Sequence, residues 1–364
     1  MHTLNESEKN LRALASRFFV NRIPFFPDFF FCAASVQSKY ADRIDVAGVG
    51  REREQAVRSA YGEAVETLSQ DMRNTDPILS AQSDAGECQG WFSDVPPKFR
   101  QRQVWAQGHD TQNAFKVPAV CVLRMNKSTD AIPPISEGAA AGPTPEFAKL
   151  AGMLELIERD SVARWWHGGQ PARRISNAVF ERVGEAPRQV LVLDLSHGSL
   201  APVVAMISCC QQTKDCVFAA ACRPSFSEAK LAALRELIQF EVAQISKRHT
   251  TQDAAVYKKQ DEICSGGTML DLAGPFNDML ETAQDLPTDQ SSRVLEVLMS
   301  RAKQQNIRIG FVDLTRREFG LSVFKAMSPD LEPSRTQSIS PSIASLQNTW
   351  GPPNPKRANV GLYW

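Results

Sequence analysis

Ser136-Glu-Gly-Ala-Ala-Ala-Gly-Pro-Thr-Pro-Glu-Phe-Ala-Lys-Leu-Ala-Gly-Met-Leu-Glu-Leu-Ile-Glu-Arg-Asp160 is the stretch from which the rest of the chain is read. Its small residues, closing at Gly142, read as a loop. Thr144 is placed to cap a helix, with Pro145 at the first helical position and Glu146 in the first turn. Phe147, Leu150, Ala151, Leu154 and Ile157 recur at helical spacing and predict an apolar stripe. The helix runs on to Trp165-Trp166, and His167-Gly168-Gly169 ends it. Glu155 and Glu158, three residues apart, share one face.

The spacing recurs. Ala148 precedes Glu155 by seven residues, and Glu158 lies three further on. Ala56, Glu63 and Glu66 repeat it, and Ala229, Glu236 and Gln239 repeat it again with an amide in the last place. A single Glu-x-x-Glu is ordinarily a solvated helix face. Three copies of the longer pattern, one of them behind a glycine-alanine run, point to acids gathered for a purpose.

Working outward, the chain of 364 residues has 41 basic and 41 acidic side chains and a formal charge of zero. It lacks the basic excess of a nucleic-acid binder. The eight cysteines form no Cys-x-x-Cys pair and the five histidines are scattered, which speaks against a structural zinc site. Several cysteines sit in apolar runs and read as reduced core residues, the usage of a reducing cytoplasm. The apolar run Phe25–Phe31 is short and broken by Pro27 and Asp28, so no membrane span is expected. The expectation is a soluble, cytoplasmic protein.

Residues 1–22 read as a polar lead-in with a short helix, and Phe29–Val36 as a strand. Gly48-Val49-Gly50 leads into the first Ala/Glu helix. Residues 71–103 read as a surface excursion, Val117–Arg124 as a strand, and Gln189–Leu195, Pro202–Cys209 and Cys216–Cys222 as three more. Ser225 with Glu228 makes a capping box for the third Ala/Glu helix. A helix over Val294–Gln305 and strands over Ile307–Thr315 and Leu321–Ala326 follow. From Pro329 the chain turns Ser/Pro-rich without periodicity, although its final Tyr363-Trp364 hints at docking. The class is α/β, an α+β layered protein with mixed sheets and no clear linker, read as one integrated domain.

Carboxylates without accompanying cysteines or histidines suit a hard cation. Magnesium takes oxygen ligands and commonly bridges carboxylates to nucleotide phosphates. Glu63, Glu66, Glu155, Glu158 and Glu236, if gathered, would repel one another and need cations to remain ionised. There is no Gly-Lys-Ser/Thr phosphate loop and no Gly-x-Ser-x-Gly nucleophile elbow. His167 reads as structural, and Asp194 and Asp313 as strand-end turn-formers.

Ser136-x-Gly-x-Ala-x-Gly, followed by Glu155-Leu-Ile-Glu-Arg-Asp160 and Trp165-Trp166, resembles the central signature of the YcaO family. Ser59-Ala-Tyr-Gly-Glu-Ala-Val-Glu66 resembles that family's first Ser/Glu motif, and Glu236-Leu-Ile-Gln239 its third. Val312-Asp-Leu-Thr-Arg316, Gly320-Leu321 and Ser328-Pro329-Asp-Leu-Glu332 resemble its late strand pair. The resemblance implies a YcaO-like ATP-binding domain over residues 45–332, with 1–44 as a lead-in and 333–364 as a tail. It implies ATP and Mg as cofactors. Glu63, Glu66, Glu155, Glu158 and Glu236 become metal and nucleotide ligands by this likeness, and Ser59, Arg159 and Gln239 nucleotide-binding residues.

The activity it implies is backbone-amide activation of a ribosomally made precursor peptide, with azoline-type cyclodehydration, in the maturation of bacteriocins of the trifolitoxin type. The implied partners are the precursor peptide and a leader-binding or dehydrogenase protein, since the chain leaves little room for a leader-binding domain of its own. A homodimer is left open; nucleic acid and membrane are not expected. The chain departs from the family pattern at Thr67, Pro143, Phe147 and Ala232, where an Arg, an Asn, a Glu and an Arg are usual. Those departures motivate an alternative: a catalytically degenerate scaffold that binds the precursor or an active partner.

Overall fold

The computed structural model describes residues 6–358 apart from 25, 41–42, 81–101, 109–113, 125–135, 181–187, 211–215, 251–271 and 334–339. Most of the expected 71–103 excursion, Cys88, Cys264 and Tyr363-Trp364 lie outside the described residues. The chain forms two compact units, one of residues 1–21, 30–156 and 289–331, the other of 22–29, 157–288 and 332–364.

In the first unit, α1 (Glu6–Leu14) leads into β1 (Ala15–Ile23), so the lead-in carries a strand as well as the expected helix. With β2 (Phe26–Val36) and β3 (Ile44–Gly50) it makes a three-stranded sheet, in which the end of β1 and the start of β2 (residues 22–29) count with the second unit. Helix α2 (Arg53–Ser69) buries Ala56, Val57, Ala60, Tyr61, Ala64 and Val65. Its small residues let β3 come very close: a Cβ on Gly48 would stand 2.3 Å from the Ala56 carbonyl oxygen. Buried Glu8 of α1 pairs with Arg53 and, at 2.9 Å, with Arg12, which ties α1 to the start of α2.

The unit's second sheet runs β4 (Leu79–Ser80), β5 (Arg102–Gly108), β12 (Gly310–Asp313), β13 (Ser322–Met327), β7 (Ala139–Gly142), with β6 (Ala114–Pro118) also on β5. The glycine-alanine run expected as a loop is therefore a strand. Its backbone pairs antiparallel with β13, from Ser322↔Gly142 to Lys325↔Ala139. Its side chains are too small to have shown the period-two alternation that marks a strand. The strand expected over Val117–Arg124 stops at Pro118, where a 3₁₀ turn over Ala119–Cys121 takes over; proline has no N–H for a ladder. Helix α5 (Ser291–Gln304) precedes β12, and Asp313 turns the chain by accepting the Thr315 N–H at 2.9 Å.

Helix α3 (Pro145–Trp166) starts as read, with the Phe147 N–H donating to Thr144 Oγ1 at 3.2 Å. Leu150, Leu154 and Ile157 are buried, but Phe147 is 42% exposed. In the first turn it lies over Gly142 instead of in the core.

The second unit is built on β8 (Arg173–Phe180), β9 (Arg188–Asp194), β10 (Val203–Cys210) and β11 (Cys216–Cys222), an antiparallel sheet in the order β11-β10-β9-β8. Helix α4 (Phe226–Thr250) covers one face, Ala229, Ala233 and Leu237 packing on Val204, Met206 and Ala219. The capping box forms: the Glu228 N–H donates to Ser225 Oγ and the Ser225 N–H to Glu228 Oε2. The cysteine reading needs one correction. Cys32, Cys210 and Cys222 are buried thiols, but Cys209 and Cys216, opposite one another on β10 and β11, are joined in a disulfide. Their seven-residue separation had no motif to flag it. Among the described residues no helix is long and apolar enough to cross a membrane.

The Ser/Pro-rich segment is ordered where described. Ser340 caps α6 (Pro341–Trp350), and α7 (Pro355–Ala358) delivers Arg357 into the second unit's interior, 1% exposed. Its guanidinium donates to the carbonyls of Leu272 (2.7 Å), Trp165 (2.7 Å) and Gly274 (2.6 Å) and lies 4.5 Å from the Trp165 ring centroid. One of those bonds satisfies a carbonyl in the last turn of α3. Arg357→Ala is expected to cost about 2–3 kcal/mol, because three buried carbonyls lose a charged donor. Limited proteolysis should then cut the tail first, and Trp165 fluorescence should shift; an unchanged cleavage pattern would count against the clasp.

Candidate active site

Helix α2 carries Ser59, Glu63 and Glu66 on one face, at i, i+4 and i+7. Ser59 is exposed, whereas Glu63 and Glu66 are half-buried. Glu63 Oε2 accepts the Ala47 N–H of β3 at 2.8 Å. Glu66 Oε1 accepts the Ala141 N–H of β7 at 2.9 Å. From α3, Glu155 Oε2 accepts the Gly138 N–H at 3.1 Å, just before β7. β7 is an edge strand, and helix carboxylates answer backbone donors that its sheet leaves unpaired. Glycines permit the approach: a Cβ on Gly152 of α3 would stand 2.3 Å from the Gly138 carbonyl oxygen.

Glu63 and Glu155 are near enough to Glu66 for their charges to oppose its ionisation. Burial pushes Glu63 up to about 7 against the pull of the Ala47 N–H. Burial pushes Glu66 up to about 8; the Ala141 N–H opposes this, and the charges of Glu155 and Glu63 add to it. Beside them lies Lys325 of β13, 3% exposed. Burial lowers it to about 8, while Glu155 and Glu137 hold it up. Sequence reading passed over Lys325. The available signal was a lysine flanked by Val323-Phe324 and Ala326-Met327 in an apolar strand.

In the second unit Glu158 is 5% exposed, and its Oε2 accepts the Cys222 N–H at the end of β11 at 3.1 Å. Arg159 Nη1 lies 3.4 Å from Glu158 Oε1. Burial, then the Glu158 charge, hold the Cys222 thiol well above its ordinary range. Asp160 is buried, accepts the Glu332 N–H at 3.0 Å, and is raised by burial. Glu236 and Gln239 are half-buried on α4. Asp194 forms the turn read for it, accepting the Ser196 N–H at 2.8 Å.

Thus Glu63, Glu66 and Glu155 come together in the first unit, and Glu158 and Arg159 in the second. Among the described residues no group of three or more His, Cys, Asp or Glu side chains is close enough to cage a metal ion. Magnesium commonly binds through one or two carboxylates and completes its shell with water and phosphate oxygens. The donors are all oxygens, and Glu63, raised by burial, and Glu66, raised by burial and by the charges of Glu155 and Glu63, stand to gain from a dication. All-oxygen donors of this kind fit a Mg2+–nucleotide complex.

A family model described as YcaO cyclodehydratase, ATP- and Mg2+-binding, matches residues 47–332. No curated protein matches the chain. Among solved structures, a heterocyclase in complex with substrate and cofactor superposes with a TM-score of 0.74 at 17% identity, covering 98% of this chain. The chain spans 57% of that protein's length. YcaO from Methanopyrus kandleri bound with AMPPCP and Mg2+ gives 0.64 at 20% identity, covering 90% of this chain and 88% of that one. The E. coli microcin synthetase McbBCD complex with pro-MccB17 bound gives 0.60 at 15% identity, covering 88% and 90%. At these identities the structures establish a shared fold of helices with several antiparallel sheets. The family model covers most of the sequence, so the chain belongs to the YcaO cyclodehydratase family, which binds ATP and Mg2+.

Proposed function

We propose that the chain is an ATP-dependent modifier of peptide backbones that installs azoline-type rings in a ribosomally made precursor peptide during bacteriocin maturation. The observation that carries this reading is the group Glu63, Glu66 and Glu155. Each is oriented by one backbone N–H, and two are pushed toward neutrality where a dication would restore their charge. The bound nucleotide supplies the phosphoryl group that turns the amide oxygen into a leaving group once a Cys, Ser or Thr side chain has added to the amide carbon. We assign Glu63, Glu66 and Glu155 to Mg2+, with Ser59 beside them on α2 for the nucleotide. Glu158 and Glu236, and Arg159 and Gln239, take the metal and nucleotide roles that the family likeness gives them. Positioning and charge compensation are what phosphoryl transfer asks of such side chains.

A partner protein that delivers the precursor belongs to the same proposal; the related E. coli microcin synthetase is itself a complex and has been solved with pro-MccB17 bound. Incubating the chain, its partner, a precursor peptide and Mg–ATP should release ADP and phosphate and lower the peptide mass by one water per ring. Absence of nucleotide binding at millimolar Mg–ATP would sink the proposal. A second reading, a scaffold without turnover, is favoured by Phe147, a 42%-exposed aromatic in the first turn of α3. Under that reading Glu155→Ala leaves peptide maturation intact in cells; under the first it stops.

A further inference from the structure

Two adjacent residues of β13 grip two adjacent carbonyls of the turn before β7. Lys325 Nζ donates to the Glu137 carbonyl at 2.8 Å, and the Ala326 N–H donates to the Gly138 carbonyl at 2.8 Å. The turn closes on itself through the Ala139 N–H and the Ser136 carbonyl at 3.0 Å. Gly138 sits at φ +80°, and a Cβ there would meet the Ala326 carbonyl oxygen at 2.4 Å, so the turn in this conformation needs glycine. The Gly138 N–H is the donor that orients Glu155.

Lys325 is thus one bond removed from an acid assigned to the metal, and it is 3% exposed in a strand where Val323 and Ala326 are buried. A buried ammonium is expensive, and an apolar side chain would pack there at less cost. Its position is explained by what it holds.

We propose that Lys325 is a positioning residue: its ammonium pins the Glu137–Gly138 turn whose Gly138 N–H meets Glu155, so that Glu155 is presented in one orientation to the Mg2+–nucleotide complex. This rests on the cofactor assignment made above. The opposite role, a built-in cation that competes with Mg2+, gives the opposite sign when the charge is removed, so one titration separates the two.

The experiment is calorimetry of AMPPCP binding across a Mg2+ titration, for wild type, Lys325→Met, Lys325→Arg and Gly138→Ala. Lys325→Met should raise the Mg2+ concentration needed for half-saturation about tenfold, the scale on which outer-shell partners act on metal sites. Its ligand-free melting temperature should not fall, because the buried charge has gone. Lys325→Arg, which keeps a charged donor, should recover most of the loss. Gly138→Ala breaks the same turn without touching the lysine and should weaken binding similarly, which keeps the inference testable if Lys325→Met folds poorly. Wild-type affinity in Lys325→Met or in Gly138→Ala overturns it, and tighter Mg2+ binding in Lys325→Met identifies a competing cation instead. If the wild-type chain does not bind Mg–AMPPCP at all, the cofactor assignment fails and takes this inference with it.

Discussion

Glu66→Gln is expected to abolish Mg2+–nucleotide binding and, at pH 8, to stabilise the ligand-free protein. Burial, with the charges of Glu155 and Glu63 added, pushes the carboxylate up to about 8 from the ordinary 4.5. Between those two values the folded chain holds a proton that the unfolded chain releases, so ligand-free stability falls as pH rises through that window. Glutamine does not titrate and can still accept the Ala141 N–H. The variant should therefore lose this part of the pH slope and gain on the order of 2 kcal/mol over wild type at pH 8, allowing for the partial exposure of the site. At pH 4 the two should converge. Denaturation midpoints across pH 4–8 check the slope, and calorimetry checks the binding. A variant that keeps the wild-type slope would show that Glu66 is ionised at little cost and that the charge argument for a dication is misplaced. Adding Mg–ATP to wild type should itself flatten the slope, since a ligand that binds only the folded, ionised site stabilises it by mass action.

The largest loss of stability is expected from Glu241→Ala. Arg188 opens β9 and Glu241 lies on α4, each fully buried, with Arg188 Nε 2.6 Å from Glu241 Oε1. Ser208 Oγ of β10 accepts from Arg188 Nε at 2.7 Å and donates to Glu241 Oε1 at 2.7 Å. Removing one partner leaves a guanidinium buried beside a strand without its counter-charge, which typically costs about 3–5 kcal/mol. The double change Arg188→Met with Glu241→Leu should recover most of that, because apolar replacement of both partners spares the desolvation of two ions. Urea unfolding of the single and double variants measures both. A double variant as unstable as the single would mean that the network's geometry, not its charge, holds α4 to the sheet.

These two groups of charged residues differ in how visible they were beforehand. The Ala/Glu spacing on three helices singled out Glu63, Glu66, Glu155, Glu158 and Glu236, because helical periodicity converts sequence distance into a shared face within each helix; that Glu63, Glu66 and Glu155 group in the first unit came from the structure. Arg188, Ser208, Glu241 and Lys325 belong to no local pattern. They are separated along the chain by 20 residues or more from the groups they serve, as Lys325 is by 188 from the Glu137 carbonyl and Arg188 by 20 from Ser208. Strand pairing and the packing of α4 on its sheet bring them into contact.

The same division applies to the fold. Capping chemistry and apolar periodicity are local, and on them the start of α3, the capping box of α4 and the strands β9 to β11 were legible in advance. Family membership was legible too, because its motifs are contiguous. What needed tertiary structure was everything set by a long-range partner. Residues 139–142 became a strand because β13 pairs with them, though their side chains carry no alternation. Cys209 and Cys216 became a disulfide because register places them opposite one another. Arg357 left a Pro-rich tail to clasp the end of α3. The stretch Ser136–Asp160 shows both halves at once: its own residues dictate a capped helix bearing two acids, but what Glu155 faces is decided by a turn that β13 holds from far along the chain.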